Sequence, residues 1–357
     1  MALIRADISN LRLFNKHSFS FEPGINLIIG KNGSGKSSIL EALNIAYSGR
    51  SHRSSRLINC IKEETSGFVV SLLENREGKN IRIDVEKPIA GRVRVKIKEG
   101  ENKLNKSSIS VIPSIINDTS FKLVEGAPEQ RRDFLNKIMF HVKPETKKIY
   151  NFYIKSLKQR NNLLVSGQKN KELEFWTEKI VEYGVLLGKS QNEVFNIFRI
   201  STEESLLKIS KDYNLDFLKG ITFNYSWGWK KGRSLKGELR NSLFKDIAIG
   251  RTSVGPHRAD LIFTKNNKLI NDFLSRGQVK LLIILVFLSV QKILEEIQGY
   301  RNFLMIDDLG SELDEQNLDV AIDLMSKNKR QAILTSTGKD WVNSLNKKSK
   351  NINKIFI

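Results

Sequence analysis

The sequence's clearest candidate for chemistry is a glycine-rich octapeptide, Gly30-Lys31-Asn32-Gly33-Ser34-Gly35-Lys36-Ser37. Its glycines let backbone N–H groups surround phosphate oxygens without an intervening Cβ. Lys36 is placed to reach the β and γ phosphates of a nucleoside triphosphate, and the Ser37 hydroxyl to ligate Mg²⁺. We therefore predict a site for ATP and Mg²⁺ that extends to Ser38; a glycine-rich turn without a ligand is the alternative.

Two elements must position this octapeptide. The apolar run 25–29 precedes it and predicts a buried strand, and residues 38–46 follow it with a helical pattern. Strand, glycine-rich turn and helix is the order that a phosphate-binding P-loop requires. The dipole at the N-terminus of the helix favours the same anion.

Paired acids close a second apolar strand, at 302–306. Triphosphate hydrolysis needs a phosphate cradle, a metal, a group that orients water, and stabilisation of developing charge. We predict that Lys36 stabilises this charge, that Asp307 holds the Mg²⁺ shell, and that Asp308 polarises the attacking water. The alternative for two acids after a strand is a solvated turn or a helix N-cap.

The pentapeptide Leu274-Ser275-Arg276-Gly277-Gln278 precedes an apolar helix predicted over 279–294. Ser275 can cap that helix, and Gly277 lets a phosphate approach the exposed N–H groups there. We include Ser275, Gly277 and Gln278 in the predicted nucleotide site; a plain N-cap before a core helix is the alternative. Another buried strand, at 331–337, ends in hydroxyl side chains.

Composition describes a globular chain of one large or two ordinary domains, with 357 residues and 40% hydrophobic content. Its net charge of +20 indicates a polyanionic partner, nucleic acid first and an anionic membrane second. A general excess of lysine is the other explanation. Cys60 is the only cysteine, which excludes a disulfide framework and a thiolate metal site. No signal peptide is visible and the apolar run 281–288 is too short to span a bilayer, so we expect a cytoplasmic protein.

Between these motifs the pattern changes from strands to helices. Residues 1–30 predict two strands joined by a turn, and runs at 68–73, 81–85 and 93–97 predict an antiparallel layer with one wet face. Residues 144–213 predict a helical pair or arm, split near 166–167, whose aromatic residues belong to its core. The basic and aromatic segment 221–245 fits nucleic-acid binding and an ordinary edge strand with a solvated loop equally well. A lysine-rich tail covers 339–354.

The motif order resembles ABC-type ATPases of the SMC-like branch, and within that branch the RecF family. Residues 4 to about 337 contribute to the resemblance, through the P-loop, the Leu-Ser-x-Gly-Gln segment, the paired acids, and the blocks 10–14, 49–54, 122–135, 250–261 and 310–314. The chain departs from the family pattern at Asn117-Asp118, where a proline and an acid are usual, and at Asn136, where Asp is usual. Arg276 stands where transporter ATPases have glycine, a difference that RecF relatives often share.

The resemblance implies an α/β fold. It is an ABC-type ATPase head, a mixed sheet with the P-loop plus an antiparallel β-layer, with an inserted, mostly helical second lobe or arm. Lobe I would comprise residues 1–120 and 300–357, and lobe II residues 121–299 with the signature motif.

The resemblance also implies a function. ATP would lie between two copies of the chain, with the P-loop of one facing Ser275 and Gly277 of the other and with Asp314 at the contact. This ATP-dependent homodimer would clamp duplex or gapped DNA or a single-strand/double-strand junction. Slow, DNA-stimulated hydrolysis would time its release, and recombination mediator proteins that load the RecA recombinase would be partners. A γ-phosphate-sensing group is expected near Asn117. A transporter ATPase subunit and a nucleotide-binding module without hydrolysis are the alternatives.

Overall fold

A computed structural model describes residues 2–105, 114–166, 171–299, 302–328, 330–338 and 352–357. The chain divides into two compact units, Met1–Ser120 with Arg276–Ile357, and Phe121–Ser275. Most of the predicted lysine-rich tail, residues 339–351, lies outside the described residues.

The described strands, in chain order, are β1 (Ala2–Leu11), β2 (Phe14–Ser20), β3 (Ile25–Ile29), β4 (Gly67–Arg76), β5 (Lys79–Pro88), β6 (Arg94–Glu99), β7 (Asn102–Leu104), β8 (Ser114–Ile116), β9 (Ile221–Ser226), β10 (Asp260–Lys265), β11 (Lys268–Leu269), β12 (Leu304–Ile306), β13 (Ala332–Ser336) and β14 (Ile352–Phe356). The helices are α1 (Lys36–Ser48), α2 (Lys122–Glu125), α3 (Pro128–Val142), α4 (Thr146–Val165), α5 (Lys171–Asp212), α6 (Leu235–Asn241), α7 (Leu243–Ile249), α8 (Arg276–Gln298) and α9 (Glu315–Lys327). Short 3₁₀ turns occupy Leu57–Cys60, Asp118–Phe121, Asp216–Leu218, Pro256–Arg258 and Ile270–Asp272.

The first unit contains an antiparallel sheet in the order β2-β1-β4-β5-β6-β7. Side chains alternate between buried and exposed along β5 and β6, as the period of two predicts for a sheet with one wet face. The sequence predicted two strands before the P-loop, whereas the structure has three, because 14–20 pairs with β1 along its whole length.

A second sheet in the same unit carries the P-loop, in the order β14-β3-β13-β12-β8. Every described neighbouring pair in it is parallel, where a mixed sheet was expected. Strands β3, β12 and β13 are buried throughout, as in parallel sheets that are covered on both faces. Because their carboxyl ends meet at one edge, the loops that follow them converge there.

Helix α1 fills the space between the two sheets. It contacts β1, β4 and β5 of the antiparallel sheet and β13 of the parallel sheet. All of its residues from Ser38 to Tyr47 are buried, including Glu41. A helix buried on all sides is held at a fixed position, so the loop that precedes it is held as well.

Helix α8 belongs to the first unit, which corrects the predicted assignment of 276–299 to lobe II. It packs on α9 and near β8, elements that flank the paired acids. By length and composition Arg276–Ile297 is apolar enough to cross a membrane, but 83% of its most apolar window is buried inside the protein. A helix in the core of a folded domain has these properties.

The second unit is mostly helical. Helices α4 and α5 lie antiparallel, with Phe152 stacked on Tyr183, and they confirm the helical pattern predicted for 144–213. Apolar side chains of α5 form the core of this pair, although Phe175 is 50% exposed; the buried ones include Ile180, Leu187, Val194, Phe198 and Leu206. Arg160 and Asp246 form an ion pair of 2.9 Å in which both side chains are fully buried.

The aromatic segment of the second unit lies in an edge strand followed by a loop. Its sheet has the order β11-β10-β9. Phe223 is buried against Phe198, Tyr225 stacks on Phe195, and Trp229 lies against Gly188 of α5. These rings pack on α5, so the structure favours the edge-strand interpretation of 221–245 over a stacking platform.

Candidate nucleotide-binding site

The P-loop connects β3 to α1 at the carboxyl edge of the parallel sheet. Gly35, which caps α1, has φ 105°, a left-handed conformation that glycine adopts without strain. A Cβ on Gly30 would lie 2.4 Å from Ser34 Oγ and 2.8 Å from the carbonyl oxygen of Ile357. The turn therefore needs glycine at both ends to keep its curled backbone.

Lys36 is buried at the start of α1 and folds back over this loop. Its Nζ donates to the carbonyl oxygens of Gly30 at 2.7 Å and Lys31 at 2.8 Å. Burial lowers the pKa of Lys36, and the nearby Asp308 and Asp307 carboxylates oppose that shift. The structure thus places the lysine of the P-loop within the electrostatic range of both acids.

The loop's hydroxyl groups fit a phosphate ligand. Ser34 Oγ is buried and makes no hydrogen bond to the described residues, so it is free to donate to a ligand oxygen. Ser37 is half-buried at the second position of α1, and Ser38 is buried behind it. Lys31, Asn32 and Gly33 are exposed.

A cavity of about 610 Å³ adjoins the loop at Ser34. It lies beside β2 and β14, and Phe14, His17 and Phe19 contribute rings to its wall. Pockets for small ligands combine apolar and aromatic walls with a few polar groups. The cavity can therefore receive the part of a nucleotide that extends away from the phosphates.

Asp307 and Asp308 follow β12, beside the end of β13. The Thr335 hydroxyl donates to Asp307 Oδ1 at 2.7 Å and accepts from the Asp308 N–H at 2.7 Å. Thr335 is fully buried, so this one side chain fixes the carboxylate of one acid and the backbone of the other. Asp308 has φ 50°, an uncommon conformation for a residue with a Cβ.

Lys280 of α8 holds the turn after these acids. Its Nζ donates to the carbonyl oxygens of Asp308 and Ser311, both at 2.7 Å, and to Ser311 Oγ at 2.8 Å. It is only 3% exposed, and burial lowers its pKa against the opposing charges of Glu312 and Asp308. Three hydrogen bonds use all the protons of its ammonium group.

The signature segment lies at the start of α8. A Cβ on Gly277 would come 2.5 Å from the Glu312 carbonyl oxygen, so close packing requires glycine here. Arg276 Nε bonds to Glu312 Oε1 at 2.7 Å. Ser275 is exposed and Gln278 half-buried. The beginning of α8 and the turn 308–312 are thus in direct contact.

The remaining predicted residues have local roles in the structure. Asn117 Oδ1 accepts from the Thr119 N–H at 3.0 Å and shapes the turn after β8. Asp118, in the same turn, contributes to the field around Lys280. Asp314 caps α9 by accepting from the Asn317 N–H at 2.7 Å.

The sequence analysis gave no role to Lys280, although a lysine directly before the apolar run 281–288 of a predicted core helix was a signal. It also missed Arg12, which makes two 2.8 Å bonds to the buried Glu41 of α1. Glu41 in turn accepts from Ser51 and so holds the segment after α1 along that helix. In that segment His52 has both ring nitrogens buried without a partner among the described residues. Burial lowers its pKa, opposed by Glu41 and Asp307.

The arrangement fits Mg²⁺ bound together with phosphates. Among the described residues, no group of three or more His, Cys, Asp and Glu side chains could hold a metal ion. Mg²⁺ is usually held by one or two protein oxygens and completed by phosphates and water. The Ser37 hydroxyl and the Asp307 carboxylate are oxygen donors of that kind.

Known proteins resemble this chain over nearly its whole length. The family model described as RecF/RecN/SMC N terminal domain matches residues 2–354. DNA replication and repair protein RecF of Pseudomonas fluorescens (strain SBW25) is 33% identical over 346 residues, covering 94% of this chain and 90% of the relative. The protein of the same name from Pseudoalteromonas translucida (strain TAC 125) is 30% identical, covering 90% and 88%.

Solved structures are similar in fold. The recombination mediator protein RecF-ATPrS in the RecFOR pathway has a TM-score of 0.81 at 27% identity, covering 99% of this chain and 96% of that chain. RecF-ATP in the same pathway has a TM-score of 0.77 at 28% identity, covering 94% and 92%. The Smc head bound to the C-winged helix domain of ScpA, at 16% identity and a TM-score of 0.54, shares the fold. The predicted α/β ATPase-head fold is confirmed. The chain belongs to the RecF family, within the wider group of RecF, RecN and SMC proteins.

Proposed function

We propose that this chain is an ATP-binding and ATP-hydrolysing protein of DNA replication and repair. The observation that carries the proposal is that β3 and β12 both pair in parallel with β13, so that the segments bearing Lys36, Asp307 and Asp308 follow the same edge of the sheet. The names of the RecF relatives and the nucleotide-bound RecF structures support it. We place its action in the cytoplasm.

The residues of this edge have separate tasks. The backbone of 30–35 and Lys36 bind the phosphates, with Lys36 exchanging its two carbonyl acceptors for phosphate oxygens. Ser37 and Asp307 would hold Mg²⁺, which supplies positive charge that polarises the phosphoryl oxygens. Asp308 accepts a hydrogen bond from the attacking water and orients it, while Thr335 fixes the backbone of Asp308.

We further propose that a second copy completes the site. Ser275 is exposed at the start of α8, where a helix N-terminus can meet phosphate held by the P-loop of another chain. In this arrangement Gly277 and Gln278 adjoin the same phosphate, and ATP closes a homodimer. The dimer binds DNA, duplex, gapped or at a junction, and works with recombination mediator proteins that load the RecA recombinase. Its net charge of +20 agrees with a DNA ligand.

Two variants test this function. Asp308→Asn keeps ATP binding but lowers hydrolysis by roughly 10²-fold or more, because an amide is a poor acceptor for the water proton. Ser275→Arg keeps ATP binding by the monomer but blocks ATP-driven dimerisation, measured by light scattering. ATP turnover is measured with and without DNA. Hydrolysis at the parental rate in Asp308→Asn would contradict the role of Asp308 in orienting water. A wild-type chain that dimerises with ATP but does not hydrolyse it would instead be the nucleotide-binding module without hydrolysis.

A further inference from the structure

The outward face of the antiparallel sheet carries a row of cations that the nucleotide site does not use. Strand register places Arg5 opposite Leu73, Leu73 opposite Arg82, and Arg82 opposite Lys98. Lys98 in turn lies opposite Lys103 of β7. Residues paired in this way point to the same face of a sheet, and all four cations are exposed.

The neighbouring rows extend this pattern. Seven cations and three anions share the face: Arg5, Lys16, Arg82, Arg94, Lys96, Lys98 and Lys103, with Asp7, Asp84 and Glu86. Each anion has an arginine partner, Arg5 for Asp7 and Arg82 for Asp84 at 2.9 Å, and Arg94 for Glu86 at 3.7 Å. No ion pair to a described residue within 4.0 Å involves the four lysines. The uncompensated charge of the face is therefore positive, and we call it the cationic sheet face.

This face is rigid. The alternate residues of β6, Val95 and Ile97, pack against the hydrophobic core together with Val93. Outward side chains two residues apart are separated by about 6.7 Å along a strand, and neighbouring strands by about 4.8 Å. The sheet thus fixes the backbone positions from which the lysines of β6 and β7 project.

We propose that the cationic sheet face binds the phosphate backbone of duplex DNA; this inference rests on the proposed function and gives it a surface. Six strands span about 24 Å, twice the roughly 12 Å width of the major groove, so the sheet contacts phosphates and not base edges. Lysines arranged in this way position a duplex without reading its sequence. An anionic membrane fits this face less well. Membrane binding needs several apolar side chains that insert into the bilayer, and among the described residues of these rows Val69 is the exposed large apolar one.

The test removes three lysines at once, Lys96→Gln/Lys98→Gln/Lys103→Gln. The control, Lys155→Gln/Lys158→Gln/Lys208→Gln, makes the same charge change at exposed positions of α4 and α5. Duplex DNA binding by the full chain is measured against salt. We expect the slope of log affinity against log salt to fall by up to about 2.7 in the first variant, at about 0.9 per phosphate contact. Its affinity at low salt falls at least roughly tenfold, while ATP binding stays unchanged and the control resembles the parent.

Parental DNA affinity and salt slope in the first variant would overturn the cationic sheet face while leaving DNA binding by the protein intact. A wild-type chain that binds no DNA would overturn the proposed function as well. Acetylation of the wild-type chain gives a second measurement, in which DNA protects Lys96, Lys98 and Lys103 but not Lys155. Binding of both variants to vesicles of anionic phospholipid and to polyglutamate is measured in parallel. If the triple-lysine variant lost binding only to the vesicles or only to polyglutamate, the result would contradict a DNA surface.

Discussion

Asp308 combines a demanding task with an unusual backbone. Its left-handed φ of 50° is held from two sides, by the Thr335 hydroxyl at its N–H and by Lys280 at its carbonyl oxygen. Residues in such conformations persist where their surroundings over-determine them, and they cluster at functional sites. Lys280 therefore acts on the proposed water-orienting carboxylate through the backbone of Asp308.

Lys280→Met keeps the length and apolar stem of this side chain and removes its three hydrogen bonds. We expect the turnover number for ATP to fall about tenfold or more, because the turn at 308–311 loses its anchor and a small misplacement is costly in catalysis. The KM for ATP stays within about twofold, since the P-loop is untouched. Steady-state ATPase kinetics measure both quantities.

The control is Lys292→Met, a lysine of the same helix that is 55% exposed and pairs with Glu296. It leaves both kinetic constants at the parental values. Ser311→Ala, which removes one acceptor of Lys280, lowers turnover in the same direction by less. A parental turnover number in Lys280→Met would show that the carbonyl bonds do not position Asp308.

At the scale of elements, the sequence predicted those whose signals are local. Spaced glycines after an apolar run predicted the strand, loop and helix around Lys36. Strands β8 and β14 were missed, because Ser114–Ile116 has three residues and Ile352–Phe356 follows a lysine-rich segment. Both are strands because β12 and β3 offer them hydrogen-bonding edges.

The packing of elements also determines to which unit α8 belongs, which the order of the sequence did not reveal. Helix α8 follows the helical insert directly in the chain, which suggested lobe II, yet its partners are α9 and β8. The nucleotide site was predicted as a set of motifs, and their convergence needed the parallel sheet. The contributions of Lys280, Thr335 and Arg12 depend on distant partners, such as Glu41, that no local pattern indicates.

The arm of the second unit is anchored by the Arg160–Asp246 pair, which joins α4 to α7. Arg160→Met leaves a buried carboxylate without its counter-charge. We expect the free energy of unfolding of the second unit to fall by about 3–5 kcal/mol, the usual cost of removing one partner from a buried pair. Denaturant unfolding of the full chain, followed by tryptophan fluorescence, measures it.

The matched surface pair is Lys179–Glu182 on α5, at 2.7 Å. Lys179→Met leaves the free energy of unfolding close to the parental value, since exposed helix pairs contribute little. Equal effects of the two substitutions would contradict the anchoring role of Arg160.

At the scale of the whole molecule, two buried histidines make the stability of the second unit sensitive to acid. Burial lowers the pKa of His257 to about 4 and that of His141 to about 4, from about 6.5 in an unfolded chain. Between these values the unfolded state binds more protons than the folded state, so stability rises with pH and is lost as pH falls from about 6.5 to about 4.

Thermal melting of the full chain from pH 7 to pH 4 measures this loss. Each histidine contributes at most about 1.4 kcal/mol per pH unit within the window. The variant His141→Gln/His257→Gln therefore melts with a shallower pH dependence than the parent. His17→Gln, an exposed position of β2, serves as the control. An unchanged pH dependence in the double variant would assign the acid sensitivity to other groups.

The strand order of the parallel sheet has a consequence for synthesis of the chain. Strand β3 carries the P-loop, yet both of its neighbours, β13 and β14, come from the region after residue 331. As the ribosome releases the chain from the N-terminus, β3 has no hydrogen-bonding partner until β13, which ends at Ser336, has emerged. It lacks its second partner until residue 356 has emerged. The contiguous second unit, 121–275, has been complete long before. A nascent chain therefore acquires the ability to bind a nucleotide last. If synthesis is interrupted, β3, which is buried in the folded protein, stays exposed to chaperones and proteases.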